Sequence, residues 1–216
     1  MMARPAEPLP VGSYDLDEDI LAEAAGRGCP AFKVYPWKGL ALVLGRGSDP
    51  AAELRLEAVL ADRVPLLRRR GGGCSVLLDP GNAVVSLAFP LSGSGRIPRA
   101  FQVALEWLLA GLGDIGLGEI RKEGISDLAL GDRKVGGTCL YRKPGLVYFS
   151  ATLLVRPRLD LVERYLEHPP REPEWRRGRG HGEFMGNLAG RAGLSSPRDF
   201  CRRLRPALEA RLSLVT

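Results

Sequence analysis

The sequence predicts an α+β fold: a mixed, mostly antiparallel sheet flanked by helices. Two observations carry that reading. Short β-like runs flank tight-turn signals at Asp79-Pro80-Gly81-Asn82, Gly131-Asp132 and Lys143-Pro144-Gly145. Helical spacing is interspersed among these hairpin-like pairs, which disfavours a doubly wound parallel sheet. The 216 residues are 45% hydrophobic and 26% charged, ordinary globular usage for a single domain over 1–216.

Residues 1–13 read as a flexible, Pro-containing lead. Asp15 is placed to cap a first helix carrying Leu16, Ile20, Leu21 and Ala24 on one face. Strands are expected over Ala31–Tyr35 and Leu40–Leu44. Asp49-Pro50 reads as a cap with Pro at the first helical position, opening a helix to about Asp62. Cys74–Leu78 and Ala83–Phe89 read as a hairpin about the Asp79–Asn82 turn. Phe101, Leu105, Leu108 and Leu112 repeat at helical spacing, which makes Arg99–Leu112 a helix. Strands over Ser126–Leu130, Lys134–Tyr141 and Leu146–Val155 follow, then a short helix over Leu159–Leu166. Residues 167–181 form a basic loop containing Trp175. A final helix spans about 197–212, after Ser196.

The composition excludes several classes. No run approaches 18 apolar residues, so no transmembrane helix is expected. The first ten residues lack an apolar signal core, so a cytoplasmic location is the expectation. Cys29, Cys74, Cys139 and Cys201 show no CxxC pairing, and His168 and His181 add no metal-ligand spacing. The net charge of +6 suits an acidic partner. Nucleic acid is disfavoured, because aromatics are 6% and do not interleave with the basic residues.

Two segments carry chemistry. In the first, Arg68-Arg69-Arg70 runs into Gly71-Gly72-Gly73-Cys74-Ser75-Val76. Glycines let backbone N–H groups approach an anion, and guanidinium groups can clamp it. No Gly-Lys-Ser/Thr follows, so this is not a Walker A loop. In the second, Gly131-Asp132-Arg133-Lys134-Val135-Gly136-Gly137 leads a lysine into a Gly-Gly strand start. There an ammonium could reach a phosphate or carboxylate across a close backbone.

Together the segments resemble the lipoate–protein ligase family, related to biotin ligases and octanoyltransferases. The first fits the pattern RRxxGGGxVxHDxGN over Arg68 to Asn82. The second fits NDLxxxGxKxxG through Ser126-Asp127-Leu128 and Gly131 to Gly137. Val43-Leu44-Gly45-Arg46-Gly47-Ser48 and Thr152-Leu153-Leu154 resemble an early strand and a later one. The resemblance covers about residues 12–190.

It implies a biotin/lipoate-ligase fold, similar to class II synthetases. It further implies activation of lipoate or octanoate by ATP and Mg²⁺, then transfer to a lysine of a lipoyl carrier protein. Lys134 would be the catalytic ammonium. Arg69 would face phosphate, and Gly72, Gly73, Cys74, Ser75 and Val76 would hold the ligand through their backbone. Asn82 would bond the nucleotide, and Asp127 the adenine, ribose or metal; Gly137 and Thr152 complete the expected site. Val76, Leu77 and Leu87 are candidate walls of an acyl slot. The chain departs from the family at Cys74, where a third glycine is expected, at Leu78 for a histidine, and at Ser150-Ala151 for His-Gly. The accessory domain that many such ligases carry is expected to be a separate polypeptide or dispensed with. The rival chemistry is octanoyl or lipoyl transfer through a thioester on Cys74 or Cys139, without ATP.

Overall fold

The computed structural model describes residues 10–91 and 97–215, and the N-terminal lead expected over 1–13 lies largely outside them. In chain order the elements are β1 (Val11–Ser13), α1 (Glu18–Arg27), β2 (Ala31–Pro36), β3 (Ala41–Leu44), α2 (Pro50–Glu53), α3 (Leu56–Ala61), β4 (Leu66–Arg68), β5 (Val76–Leu78) and β6 (Asn82–Pro90). Then come α4 (Ile97–Asp114), β7 (Arg121–Glu123), β8 (Asp127–Leu130), β9 (Arg133–Lys143), β10 (Leu146–Leu154), α5 (Leu159–Tyr165), α6 (His181–Phe184) and α7 (Pro197–Ala210).

The strands form two sheets. One is six-stranded and fully antiparallel, in the order β2-β6-β10-β9-β8-β7. The other is four-stranded, β1-β4-β3-β5, with β4 parallel to both neighbours. The α+β, mostly antiparallel architecture is the one expected.

Period-two alternation sorts the six-stranded sheet into two faces. One face presents Val85, Leu87, Phe149 and Leu153 to α4 and α7, where Trp107 and Phe200 complete the main core. The four-stranded sheet packs Leu42, Leu44, Leu66 and Leu77 against α3 and α5. Between the sheets lies a small cluster of Trp37, Ala41, Val43, Leu78 and Val84. Helix α1 covers the rest of that inner face over Ala31, Ala88 and Tyr148.

Several local expectations are corrected. Residues 11–13 are a strand paired with β4, not lead. Helix α1 starts after Asp17 rather than Asp15, and the Asp17 carboxylate does not cap it but turns inward to Ser86 and Tyr148. The helix expected to run to Asp62 breaks at Leu54, which is extended and bridges Leu166. The Asp79–Asn82 turn forms, with Asn82 N donating to Asp79 O at 2.9 Å, but it joins no hairpin. Strand β5 pairs with β3 while β6 pairs with β2 and β10, so the turn carries the chain from one sheet to the other. Ser196 caps α7 as expected, accepting from Asp199 N at 3.1 Å. Among the described residues no helix is long and apolar enough to cross a membrane.

Candidate functional site

The glycine-rich loop between β4 and β5 is folded by its own arginines. Arg69 donates from Nη1 to Val43 O at 2.9 Å and from Nη2 to Gly72 O and Cys74 O, each at 2.8 Å. Arg68 Nη1 reaches Gly45 O at 2.9 Å and Ser48 O at 3.1 Å. Arg70 pairs with Glu18 at 2.8 Å. Arg69, expected to face phosphate, therefore points its guanidinium at carbonyl oxygens and draws the loop into a tight arc. With the carbonyls turned to Arg69, the amides of Gly72 and Gly73 are left at an exposed bend. Gly73 adopts φ +90°, a conformation that excludes most side chains.

The loop's far end is held by Glu53, at the end of α2. This carboxylate is 4% exposed and accepts from Ser75 N at 2.5 Å and Ser75 Oγ at 2.6 Å. Ser75 N–H, expected to bind ligand, is thus already occupied. Glu53 is a residue that sequence reading missed; only its place after the Asp49-Pro50 cap was legible.

Lys134 is aimed by a β-bulge. Between β8 and β9 the register shifts at Leu128/Ala129, so Leu128 pairs with Gly136 and Ala129 with Lys134. Val135 is the extra residue, and it turns into the main core at 1% exposure. Without the bulge, Lys134 would share the face of Gly136 and drive its ammonium toward that core. With it, Lys134 lies beside Gly137, whose missing Cβ would stand 3.6 Å from Nζ. Nζ then meets Asp127 Oδ1 at 2.6 Å.

Asp127 is 6% exposed, and its Oδ2 accepts from Trp175 Nε1 at 3.2 Å. Thr138 donates to Ser126 O from both N (2.7 Å) and Oγ1 (3.0 Å), fixing the residue before Asp127. Where β10 leaves β9, Met185 pairs with Lys134 and Gly186 N donates to Lys134 O at 2.8 Å. Residues 167–181, read as a basic loop, thus contain one short helical turn at Glu174–Arg176 and run into a second, α6, and together the stretch 167–186 covers this end of the sheet. Trp175 was noted in the sequence, but nothing there placed its indole on Asp127.

The loop, Lys134 and the cover converge. Gly71 lies on β9 so closely that a Cβ there would come 2.9 Å from Cys139 Sγ. Cys74 Sγ stands 3.7 Å from Arg171 O in the cover. Thr152 is opposite Gly137 in the sheet, on the inner face. Val76 is half-buried against the inter-sheet cluster.

Asn82 is fully buried; its Oδ1 accepts from Asp79 N at 2.7 Å, while Nδ2 has no acceptor among the described residues. Leu77 and Leu87, considered as acyl-slot walls, point away into the two helix-backed cores, because alternation puts them on the outer faces. The inner face beyond Cys139 is hydroxylated instead: Asp17 Oδ2 accepts from Ser86 Oγ at 2.7 Å and Tyr148 OH at 2.5 Å, and Tyr35 OH from β2 reaches Oδ1 at 3.3 Å.

Burial pushes the Cys139 thiol up, against a smaller downward pull from the Arg69 guanidinium. His181 is 8% exposed and shares a hydrogen bond with Glu167 O at 3.1 Å. Burial holds it below the ordinary histidine range. Among the described residues no three His, Cys, Asp or Glu side chains group to hold a metal ion by themselves.

Known proteins share this fold. A protein from Aeropyrum pernix with the provisional name lipoate-protein ligase A is 30% identical over 160 residues, covering 69% of this chain and 59% of its own. The chain spans about half the length of the curated relatives it matches. A solved lipoate-protein ligase A bound with ATP superposes with TM-score 0.72 at 21% identity, over 91% of this chain and 76% of that one. A bi-partite lipoate protein ligase from Thermoplasma acidophilum, described with its E2 lipoyl domain, gives TM-score 0.70 at 21% identity over 94% and 80%. These likenesses show a common fold. The family model of the lipoyl protein ligase A/B catalytic domain matches residues 12–208, so nearly the whole chain, both motifs included, belongs to that family.

Proposed function

We propose that this domain is an ATP-dependent lipoate/octanoate–protein ligase acting on a lysine of a lipoyl carrier protein. The observation that carries the reading is Lys134: an ammonium set by a bulge and held 2.6 Å from a buried carboxylate, on the same strand β9 against which the arginine-folded glycine loop packs at Cys139. The ATP-bound and lipoyl-domain relatives support the same choice of substrates.

The chemistry follows from charge. A carboxylate is a poor electrophile. Its oxygen attacks the α-phosphorus of ATP, pyrophosphate leaves, and an acyl adenylate forms. The acceptor lysine then attacks the acyl carbonyl; AMP leaves and the amine loses a proton. Both steps gather negative charge where the acyl group meets the α-phosphate. A preorganised ammonium there, partly withdrawn from water, stabilises it. Lys134 takes that role and orients the adenylate. The exposed amides of Gly72 and Gly73 face the phosphate; Arg69 fixes them in place. Asn82 Nδ2, without an acceptor among the described residues, is a donor for the nucleotide. Val76, Gly137 and Thr152 border the acyl group between the sheets.

Mg²⁺ commonly binds through one or two carboxylates plus substrate phosphates. Asp127 is the carboxylate at Lys134, but its Oδ1 takes Lys134 Nζ and its Oδ2 the Trp175 indole N–H, so an ion arriving with the nucleotide would be held chiefly by the phosphates. Bound there, Mg²⁺ would offset polyphosphate charge.

The test is intact-mass analysis of an apo lipoyl carrier after incubation with the protein, octanoate or lipoate, and Mg-ATP. An acyl mass gain that needs ATP and is lost in Lys134→Ala is the expected result. Gain only from octanoyl-acyl carrier protein would overturn the ligase reading. Where free acid gives no product, a separate accessory subunit is the component to add before the reading is abandoned.

A further inference from the structure

We propose that Trp175 is a positioning residue for Lys134, acting through Asp127. The proposal rests on the ligase reading for what Lys134 does, but not for where Lys134 is held.

Lysine carries its charge on a flexible stem, so an ammonium keeps one position only if its partner does. Asp127 has two oxygens to offer. Oδ1 takes Lys134 Nζ at 2.6 Å, and Oδ2 takes the Trp175 indole N–H at 3.2 Å. An indole N–H is a donor only, so it satisfies the carboxylate without competing for the lysine's protons. The carboxylate plane is then fixed from both sides, and rotation that would release Nζ breaks the indole bond.

Trp175 is itself immobilised. The Arg179 guanidinium lies 5.8 Å over its ring, and Phe184 packs at 4.5 Å between ring centroids. Arg179 Nη2 also donates to Trp175 O at 2.9 Å. The same Arg179 donates from Nη1 to Asp132 O at 2.9 Å, two residues before Lys134. The contacts close a circuit: Lys134 to Asp127, to Trp175, to Arg179, and back to the turn that leads into Lys134. On the other side the ring lies against Gly124; a Cβ there would stand 3.5 Å from it, in ordinary van der Waals contact. The cover segment thus does more than shield the site, because its tryptophan sets the direction of the ammonium.

The experiment compares wild type with Trp175→Phe, which keeps an aromatic ring and removes the donor. In the ligand-free protein, the rate of Lys134 acetylation by an amine-reactive reagent is read by peptide mass, with exposed Lys38 as internal reference. Loss of one hydrogen bond is expected to raise Lys134 labelling about threefold relative to Lys38. In the carrier assay, kcat is expected to fall about tenfold with KM for ATP within about twofold, the signature of lost transition-state positioning rather than lost binding. Arg179→Gln, which leaves the indole in place but unclamped, should shift labelling in the same direction by less. It decides the matter alone if the phenylalanine variant does not fold. Labelling unchanged in the folded variants would overturn the proposal whatever the activity. Raised labelling in a protein whose wild type never modifies a carrier would uphold the positioning and overturn the ligase reading instead.

Discussion

At Gly45 the chain passes so close to itself that a methyl group has no room: a Cβ would lie 1.9 Å from Gly73 O. The obstacle is backbone, so the loop must move. Gly45→Ala is therefore expected to cost about 2 kcal/mol, toward the middle of the overpacking range, seen as a lower urea midpoint at unchanged slope. It should also weaken ATP binding, because the displaced loop is the one carrying Gly73. Cys139 makes the opposite case. Its thiol is pushed up by burial, whereas a nucleophilic cysteine must be a thiolate. Cys139→Ala should leave ATP-dependent acylation within about threefold of wild type; loss of activity, with an acyl-thioester found on the wild-type protein, would restore the transferase mechanism. At this scale the sequence was informative about which residues matter and silent about where they point. Three arginines before three glycines suggested an anion clamp, yet Arg68 and Arg69 face carbonyl oxygens. The acceptors of Arg68, at Gly45 and Ser48, and one of those of Arg69, at Val43, lie 20 or more residues away in sequence, which local pattern does not encode.

Among the elements, the bulge in β9 and the cover over residues 167–186 decide the site. Strand β9 was legible from its apolar run and turn; the bulge was not, since it depends on the partner strand's register. The Asp79–Asn82 turn shows the same limit. Its residues specify a tight turn, but whether two strands pair across it depends on the sheets beyond. In the cover, α6 begins at His181, whose carbonyl accepts from Met185 N at 2.8 Å. Burial lowers the His181 pKa in the folded protein. The folded state therefore binds fewer protons there than the unfolded one. The stabilisation is complete above the unfolded histidine value of about 6.5 and is lost as pH falls through the lower folded value. Hydrogen-exchange protection of the Phe184 and Met185 amides, corrected for intrinsic rate, should drop as pH is lowered from about 7.5 to about 5. His181→Phe should flatten that dependence; a dependence equally steep in the variant would assign the titration elsewhere.

For the whole molecule, two sheets with separate helix-backed cores meet over a thin inner layer, and the proposed site lies where loop, bulge and cover close that layer's edge. The α+β class was readable because the long strands β6, β9 and β10 are legible from their local sequence, and β9 and β10 are joined by a tight turn. The four-stranded sheet was not: β1 and β4 are three residues each and pair across more than fifty positions of sequence. Charge is the property that needs no fold to be counted. At +6, the protein attracts an acidic partner from a distance, and such steering raises the encounter rate more than it tightens the final complex. Salt shortens the reach of that field from about 10 Å at 0.1 M to about 3 Å at 1 M. If the acceptor is an acidic lipoyl carrier, its KM should rise steeply between about 0.05 and 0.5 M NaCl, while the KM for octanoate, a small monoanion, changes little. The comparison separates surface docking from chemistry, because both constants come from one assay. A carrier KM that does not respond to salt would mean that the arginine excess plays no part in recognition, and that docking depends on contacts closer to Lys134.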